Sequence, residues 1–246
     1  MRKTALTFLI WLCVACAAHA DCTADSAATR PHLVELYSSE GCSSCPPAEN
    51  WLRTLHDGAE VVALEFHVDY WNDLGWPDRF ADARFTARQH VQARHDGSSS
   101  VFTPQLVLDG RNWNGWYRGG RLAPSEPAAL ALHVAADDVQ SQTLHVSVVA
   151  AAPTLGAFDG YQTYVAIVED GLGTQVRAGE NRGALLRHDH VVRAFAGPLA
   201  LARTEVRLTL PASLVHDRAS IVAFAQSADT GRIAQVVTLP LAQCRK

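Results

Sequence analysis

Cys42 and Cys45 stand three residues apart in the run Ser39-Glu40-Gly41-Cys42-Ser43-Ser44-Cys45-Pro46-Pro47. An apolar, strand-forming stretch precedes them and a helix-forming stretch follows. A strand that ends in C-x-x-C at a helix start is where a thioredoxin-like dithiol sits, because two thiols so spaced close a small ring. The first sulfur then lies beside free backbone N–H groups, whose field favours thiolate over thiol. That thiolate attacks a substrate disulfide, and the second thiol resolves the mixed disulfide. Cys42 is the expected attacking residue and the more exposed of the pair; Cys45 is the resolving one. Pro47 cannot sit inside a helix without losing a hydrogen bond. A helix that starts only at the prolines would therefore move Cys42 away from the favourable field.

The N-terminus sets the compartment. Arg2 and Lys3 precede an apolar run over residues 5–18, and Ala18-His19-Ala20 has the form of a cleavage site. The run is short for a membrane-spanning helix, and no other stretch reaches about 18 apolar residues. We expect a signal peptide over residues 1–20, a periplasmic or secreted mature protein, and no stable membrane insertion after cleavage. Four of the six cysteines then remain: Cys22, Cys42, Cys45 and Cys244. An even count in an exported chain suggests disulfides. Cys42 and Cys45 are close enough to bridge locally, which leaves Cys22 and Cys244, near the two ends, as the expected structural pair. The formal charge of −4 and the pI near 6.2 argue against a polybasic nucleic-acid binder, so nucleic acid is not an expected partner.

The first half alternates strand and helix signals. Strands are expected at His32–Ser38, 61–68, Gln105–Leu108 and 112–117. Helices are expected at 48–56, 76–96 and 124–136, the second with Phe80, Ala83, Ala87 and Val91 on its apolar face. Past Asp138 the pattern alternates with period two at Thr143–Ala151, 161–168, 204–210, 221–226 and 233–239, as in antiparallel strands of a sandwich. The expected fold class is an α/β thioredoxin-like domain over residues 21–138, followed by an all-β sandwich-like domain over residues 139–246.

Further signals bear on the chemistry. Thr103-Pro104 directly precedes an apolar strand. A cis peptide there would lay the Thr103 backbone beside Cys42, ready to pair with an extended substrate segment. Glu35 and Glu65 on predicted strands are candidate proton acceptors for Cys45, or plain strand-edge carboxylates. His67 is a candidate for tuning Cys42, or for joining both thiolates in a copper(I) site. Trp71, Trp76, Trp113 and Trp116 offer an aromatic rim or simply core. Gly179-Glu180-Asn181-Arg182-Gly183 reads as a turn. His188 and His190 around Asp189 offer two metal ligands without a visible third.

The segments VELYSSEGCSSCPPAE, LEFHVDYW, FTPQLVLDG, GENRG and HDHVV together resemble the secreted proteins of domain-of-unknown-function family 1223, over residues 33 to 239. The resemblance implies a thioredoxin-like fold and a dithiol. The expected function is thiol–disulfide exchange on exported proteins through Cys42 and Cys45, with no cofactor and with a redox partner protein. The alternatives are an exported binding protein whose C-x-x-C is a static clasp, and a copper(I) carrier.

Overall fold

The computed structural model describes residues 22–56, 58–137, 142–152 and 158–244. The expected signal peptide and the expected domain boundary at 138–139 lie outside the described residues. In chain order the elements are β1 (Thr23–Asp25), β2 (Thr29–Arg30), β3 (His32–Ser38), α1 (Pro46–Leu52), β4 (Val61–His67), α2 (Ala83–His95), β5 (Gln105–Leu108), β6 (Arg111–Asn112), β7 (Glu126–Pro127), β8 (Ala131–Ala136), β9 (Thr143–Ala151), β10 (Tyr161–Glu169), β11 (Leu172–Gln175), β12 (Leu185–His188), β13 (Val191–Ala200), β14 (Arg203–Thr209), β15 (Ala219–Ser227) and β16 (Ile233–Pro240).

Eight strands form one mixed sheet in the order β16-β15-β10-β13-β4-β3-β5-β6. Its centre is parallel: β3 runs with β4, and β4 runs with β13. Every residue of β3 and of β4 is buried, the pattern of strands covered on both faces. Four strands form a second sheet, β1-β8-β9-β14. In β9 burial alternates: Leu144, Val146, Val148 and Ala150 point inward, and the residues between them do not. These side chains pack against Val165, Ile167, Ile221 and Val237 of the large sheet, giving a sandwich-like core. The register places α1 on that same face, over Val34, Leu36, Ala63 and Leu106. The opposite face carries α2, whose Phe85 packs with Tyr37, Phe66 and Phe224.

This architecture corrects the expected fold class. A thioredoxin-like α/β domain followed by a separate sandwich would end one sheet before the other begins. Instead β13 enters between β10 and β4, so strands from both halves share one sheet. The chain is mostly β, with two α-helices among the described residues. The expected helix at 124–136 is also absent. β7 and β8 occupy that stretch, and Leu130, Leu132 and Val134 are buried at period two, an alternation that its alanine content masked.

The second helix is shorter than expected and turned differently. Asp82 caps α2 by accepting the Arg84 N–H at 2.8 Å. The buried side chains are Phe85, Arg88, Gln89, Gln92 and Ala93, not the apolar stripe expected from the sequence. Polar residues face inward because Glu35 on β3 needs them. Its carboxylate takes Arg88 Nε at 2.6 Å, Gln92 Nε2 at 3.0 Å and the Tyr37 hydroxyl at 3.1 Å. At the β5–β6 turn, Asp109 and Gly110 have φ of 51° and 80°, as a two-residue hairpin requires. A Cβ on Gly110 would fall 1.8 Å from the Gly231 carbonyl oxygen, so only glycine fits.

Cys22 and Cys244 are disulfide-bonded, with Cα atoms 4.6 Å apart across a sequence separation of 222. A closed loop of that size removes about 5 kcal/mol of unfolded-chain entropy in the simplest model. We expect Cys22→Ala/Cys244→Ala to lower the unfolding free energy by about 2–5 kcal/mol, read from urea transitions. An unchanged transition would show that the termini are held by packing alone.

Candidate functional site

The large sheet sets out the site. β3 ends at Ser38, and the chain turns through Ser39–Gly41 to the cysteines. The Cys42 N–H donates to the Ser39 carbonyl at 3.0 Å, and the Cys45 N–H to the Cys42 carbonyl at 3.2 Å. α1 starts at Pro46 with Cys45 as its N-cap residue. Two prolines fit there because the first helical N–H groups have no intrahelical partner. The late start leaves Cys42 a turn away from the helix end, and the helix is only seven residues long. The expected field on Cys42 is thereby lost.

Cys42 and Cys45 form a disulfide, with Cα atoms 5.4 Å apart. Both are 0 % exposed, so the expected greater exposure of Cys42 is not present in the oxidised pair. Ser43 and Ser44 cover them and are exposed. The Ser44 hydroxyl lies 3.4 Å from Cys42 Sγ.

A segment from the second half of the chain clamps this loop. Asn181 Nδ2 donates to the carbonyls of Glu40 and Cys42, each at 2.9 Å. The Ser43 N–H donates to Glu180 Oε2 at 3.1 Å, a bond that lowers the Glu180 carboxyl below its usual value. Gly179 has φ +71°, and a Cβ there would stand 3.0 Å from Trp76 Cβ, so the clamp needs a bare backbone at this point. The Gly-Glu-Asn-Arg-Gly run is therefore a turn, as read, but one whose side chains fix the cysteine loop.

On the other flank, Trp71 joins two expected site elements. Its Cβ packs against Gly41, and its Nε1–H donates to Thr103 Oγ1 at 2.8 Å. The Thr103–Pro104 peptide is cis, as its sequence setting suggested. Gln105 pairs with Tyr37, which puts Pro104 level with Ser38, where the cysteine loop begins. The other tryptophans are used internally. Trp76 Nε1 donates to Glu40 Oε2 at 2.8 Å, while Trp113 and Trp116 pack against the α1 core.

Beneath the loop lies a group of buried ionisable residues. Strand alternation sends Glu65 and His67 to the α1 side of β4, while Glu35 faces α2 on the opposite side of β3, away from the cysteines. Glu40, Glu49, Asp78 and His188 join Glu65 and His67, and none is more than 5 % exposed. His67 Nδ1 and Asp78 Oδ2 are 2.7 Å apart, and His67 Nε2 and Glu65 Oε1 are 3.3 Å apart. His188 Nδ1 faces Glu65 Oε1 at 3.4 Å and Glu49 Oε2 at 3.6 Å, and His188 Nε2 faces Glu40 Oε1 at 3.6 Å. Asp78 Oδ2 also accepts the Glu40 N–H at 2.8 Å, and the Ser38 hydroxyl donates to Glu49 at 2.5 Å.

Burial and mutual charge shift these groups. Burial opposes a charged His67, but Asp78 and Glu65 outweigh it and hold the ring well above its usual value. Burial likewise opposes charging of His188, yet Glu65 and Glu40 bring it up to about 9. Burial would raise Glu65, but the two imidazoles pull it down to about 2. Glu49 goes the other way: burial, with Glu65 nearby, pushes it up to about 7.

Among the described residues, the potential metal ligands brought together are Glu65, His67 and His188, without either cysteine. The copper arrangement of Cys42, Cys45 and His67 is not what the fold assembles. His190 turns away at φ 61°, toward Asp170.

Residues 33–226 match the profile of the family described as "Protein of unknown function (DUF1223)". The chain belongs to this family. Among solved structures, a protein from Agrobacterium tumefaciens is 25 % identical to this DUF1223 chain, with 85 % of this chain and 93 % of that one covered and a TM-score of 0.55. HBP35 of Porphyromonas gingivalis is 11 % identical, with 88 % and 77 % covered and a TM-score of 0.57, a likeness of fold alone. A comparison with curated proteins gives no match. Among the described residues of this DUF1223 protein, no helix is long and apolar enough to cross a membrane.

Sequence reading missed Glu40, Glu49, Asp78, Glu180 and Asn181. Glu40 and Glu49 bracket the C-x-x-C closely enough to have been suspected; Asn181 reads only as part of a turn. We expect Asn181→Ala to cost about 1–3 kcal/mol of stability, since two loop carbonyls lose their donor. It should also speed reduction of Cys42–Cys45 by dithiothreitol. Urea transitions and timed thiol alkylation check both effects, and an unchanged reduction rate would show that Asn181 does not hold the loop shut.

Proposed function

We propose that this DUF1223 protein exchanges disulfides with exported proteins through Cys42 and Cys45. The observation that carries the reading is the closed pair itself, set in the turn between a central parallel strand and α1, with the Thr103–Pro104 backbone level with the start of that turn. A static clasp needs no such alignment. The two disulfides are consistent with an oxidising extracytoplasmic compartment, and periplasmic or secreted residence is part of the same reading.

The exchange balances as follows. In the reduced protein the Cys42 thiolate attacks one sulfur of a client disulfide, forming a mixed disulfide and releasing one client thiolate. The Cys45 thiolate then attacks Cys42 Sγ, closing the pair and releasing the second client thiolate. Two electrons pass to the client, which takes up two protons. A client dithiol drives the sequence backward. A thiol–disulfide redox partner resets the pair in either direction. An extended client segment would lie along the Thr103 backbone, and the Ser43–Ser44 cover must move aside first.

One observation favours the static clasp instead: both sulfurs are fully buried and their loop is pinned by Asn181. Trapping separates the two readings. For exchange we expect Cys45→Ala to accumulate mixed disulfides with client proteins through Cys42, and Cys42→Ala to accumulate none. The reduced wild-type protein should also turn over insulin disulfides. A clasp gives no trapped species with either variant and insulin turnover no faster than a chain lacking both cysteines.

A further inference from the structure

The atoms at the centre of the buried cluster lack hydrogen bonds. Both carboxylate oxygens of Glu65, Nε2 of His67 and both ring nitrogens of His188 are buried and complete none, although Glu65 Oε1 stands 3.3–3.4 Å from His67 Nε2 and His188 Nδ1, and the His188 nitrogens 3.6 Å from Glu40 Oε1 and Glu49 Oε2. A buried polar atom left in this state costs about 1–3 kcal/mol. Three residues, Glu65, His67 and His188, bring one such atom each to within 4.8 Å of the others.

We propose that Glu65, His67 and His188 bind a divalent metal ion of the zinc class, independently of any thiol exchange. Four ligands held about 2.0–2.1 Å from a tetrahedral zinc ion lie about 3.3–3.4 Å from one another. Glu65 Oε1 stands 3.3 Å from His67 Nε2 and 3.4 Å from His188 Nδ1, two edges of such a tetrahedron. One ligand atom from each of the three residues lies within 4.8 Å of the others. Glu49 Oε2, 3.6 Å from His188 Nδ1, supplies a fourth donor after a small shift.

The surroundings match a metal centre as well. A ligating histidine ordinarily presents its second nitrogen to a carboxylate, which fixes the ring and raises its basicity. His67 does this through Nδ1 to Asp78 Oδ2 at 2.7 Å, and Asp78 is itself held by the Glu40 and Phe80 N–H groups. His188 turns Nε2 toward Glu40 Oε1 in the same sense. Imidazole and carboxylate donors suit zinc and disfavour copper(I), which prefers sulfur. The full burial of all three residues marks a closed site.

The test is metal content and ligation of the purified protein, refolded with Zn²⁺ and dialysed. We expect one equivalent per chain, retained when Cys42 and Cys45 are both replaced by serine and lost in a folded His188→Ala variant. Asp78→Asn, which removes only the support of His67, should weaken Zn²⁺ binding by about 10–100-fold. X-ray absorption at the zinc edge of the wild-type protein should show two imidazoles and no sulfur, a readout that stands even where His188→Ala does not fold. Absence of bound zinc in the folded wild type, sulfur in the coordination shell, or full retention of zinc in His188→Ala would each overturn the proposal. A result against thiol exchange leaves these outcomes unchanged.

Discussion

The parallel pairing of β4 with β13 is the contact on which the rest of the molecule depends. The Glu65 N–H donates to the His190 carbonyl at 2.8 Å, and Val191 stands opposite Glu65. Without this pairing β4 and β13 would each present an open edge, and unpaired edges recruit other chains. With it, strands from both halves become one sheet, covered on one face by α1 and the four-stranded sheet and on the other by α2. The pairing also delivers function-bearing residues. β12 and the turn after it end where β13 begins, so His188 reaches Glu65 and His67, while residues 179–182 reach the cysteine loop.

Chemistry and structure meet in that loop. Glu40 and Glu49 sit on either side of the C-x-x-C, and both point into the charged group below it. Taking charges out of water costs several kcal/mol per ion, so a buried ionic cluster is seldom retained for stability alone. Here carboxylates and imidazoles alternate in space, each offsetting its neighbour. Asn181 and Glu180 tie the cysteine loop to the far half of the chain.

Much of this was legible in the residues. The run HLVELYS folds as read because its continuous apolar character suits a strand buried on both faces, and Thr143–Ala151 folds as read because its alternation suits a half-buried one. The pairing of the cysteines followed from counting them, and the cis peptide at Pro104 from its place before a strand. What failed depended on contacts between distant segments. VVRAFAGPLA carries no strand expectation from the sequence, and its parallel partner lies over a hundred residues earlier, where no local pattern points. Arg88 and Gln92 lie off the apolar face expected for this helix, because nothing nearby reveals that Glu35 is buried opposite them. His188 and His190 looked equivalent at strand spacing, but the positive φ of His190 breaks the alternation and sends only His188 to the cluster. The partners that His188 lacked in the sequence, Glu65 and His67, both come from β4.

The reduction potential of the Cys42–Cys45 pair tests the functional account most directly. Equilibration of the purified protein with glutathione buffers, read by alkylation and mass spectrometry, gives the value for this pair separately from Cys22–Cys244. A redox-active pair should fall in the range of roughly −270 to −120 mV spanned by exchange proteins. A value below about −300 mV, typical of structural disulfides in secreted proteins, would contradict the account and leave the pair as a clasp over the buried cluster.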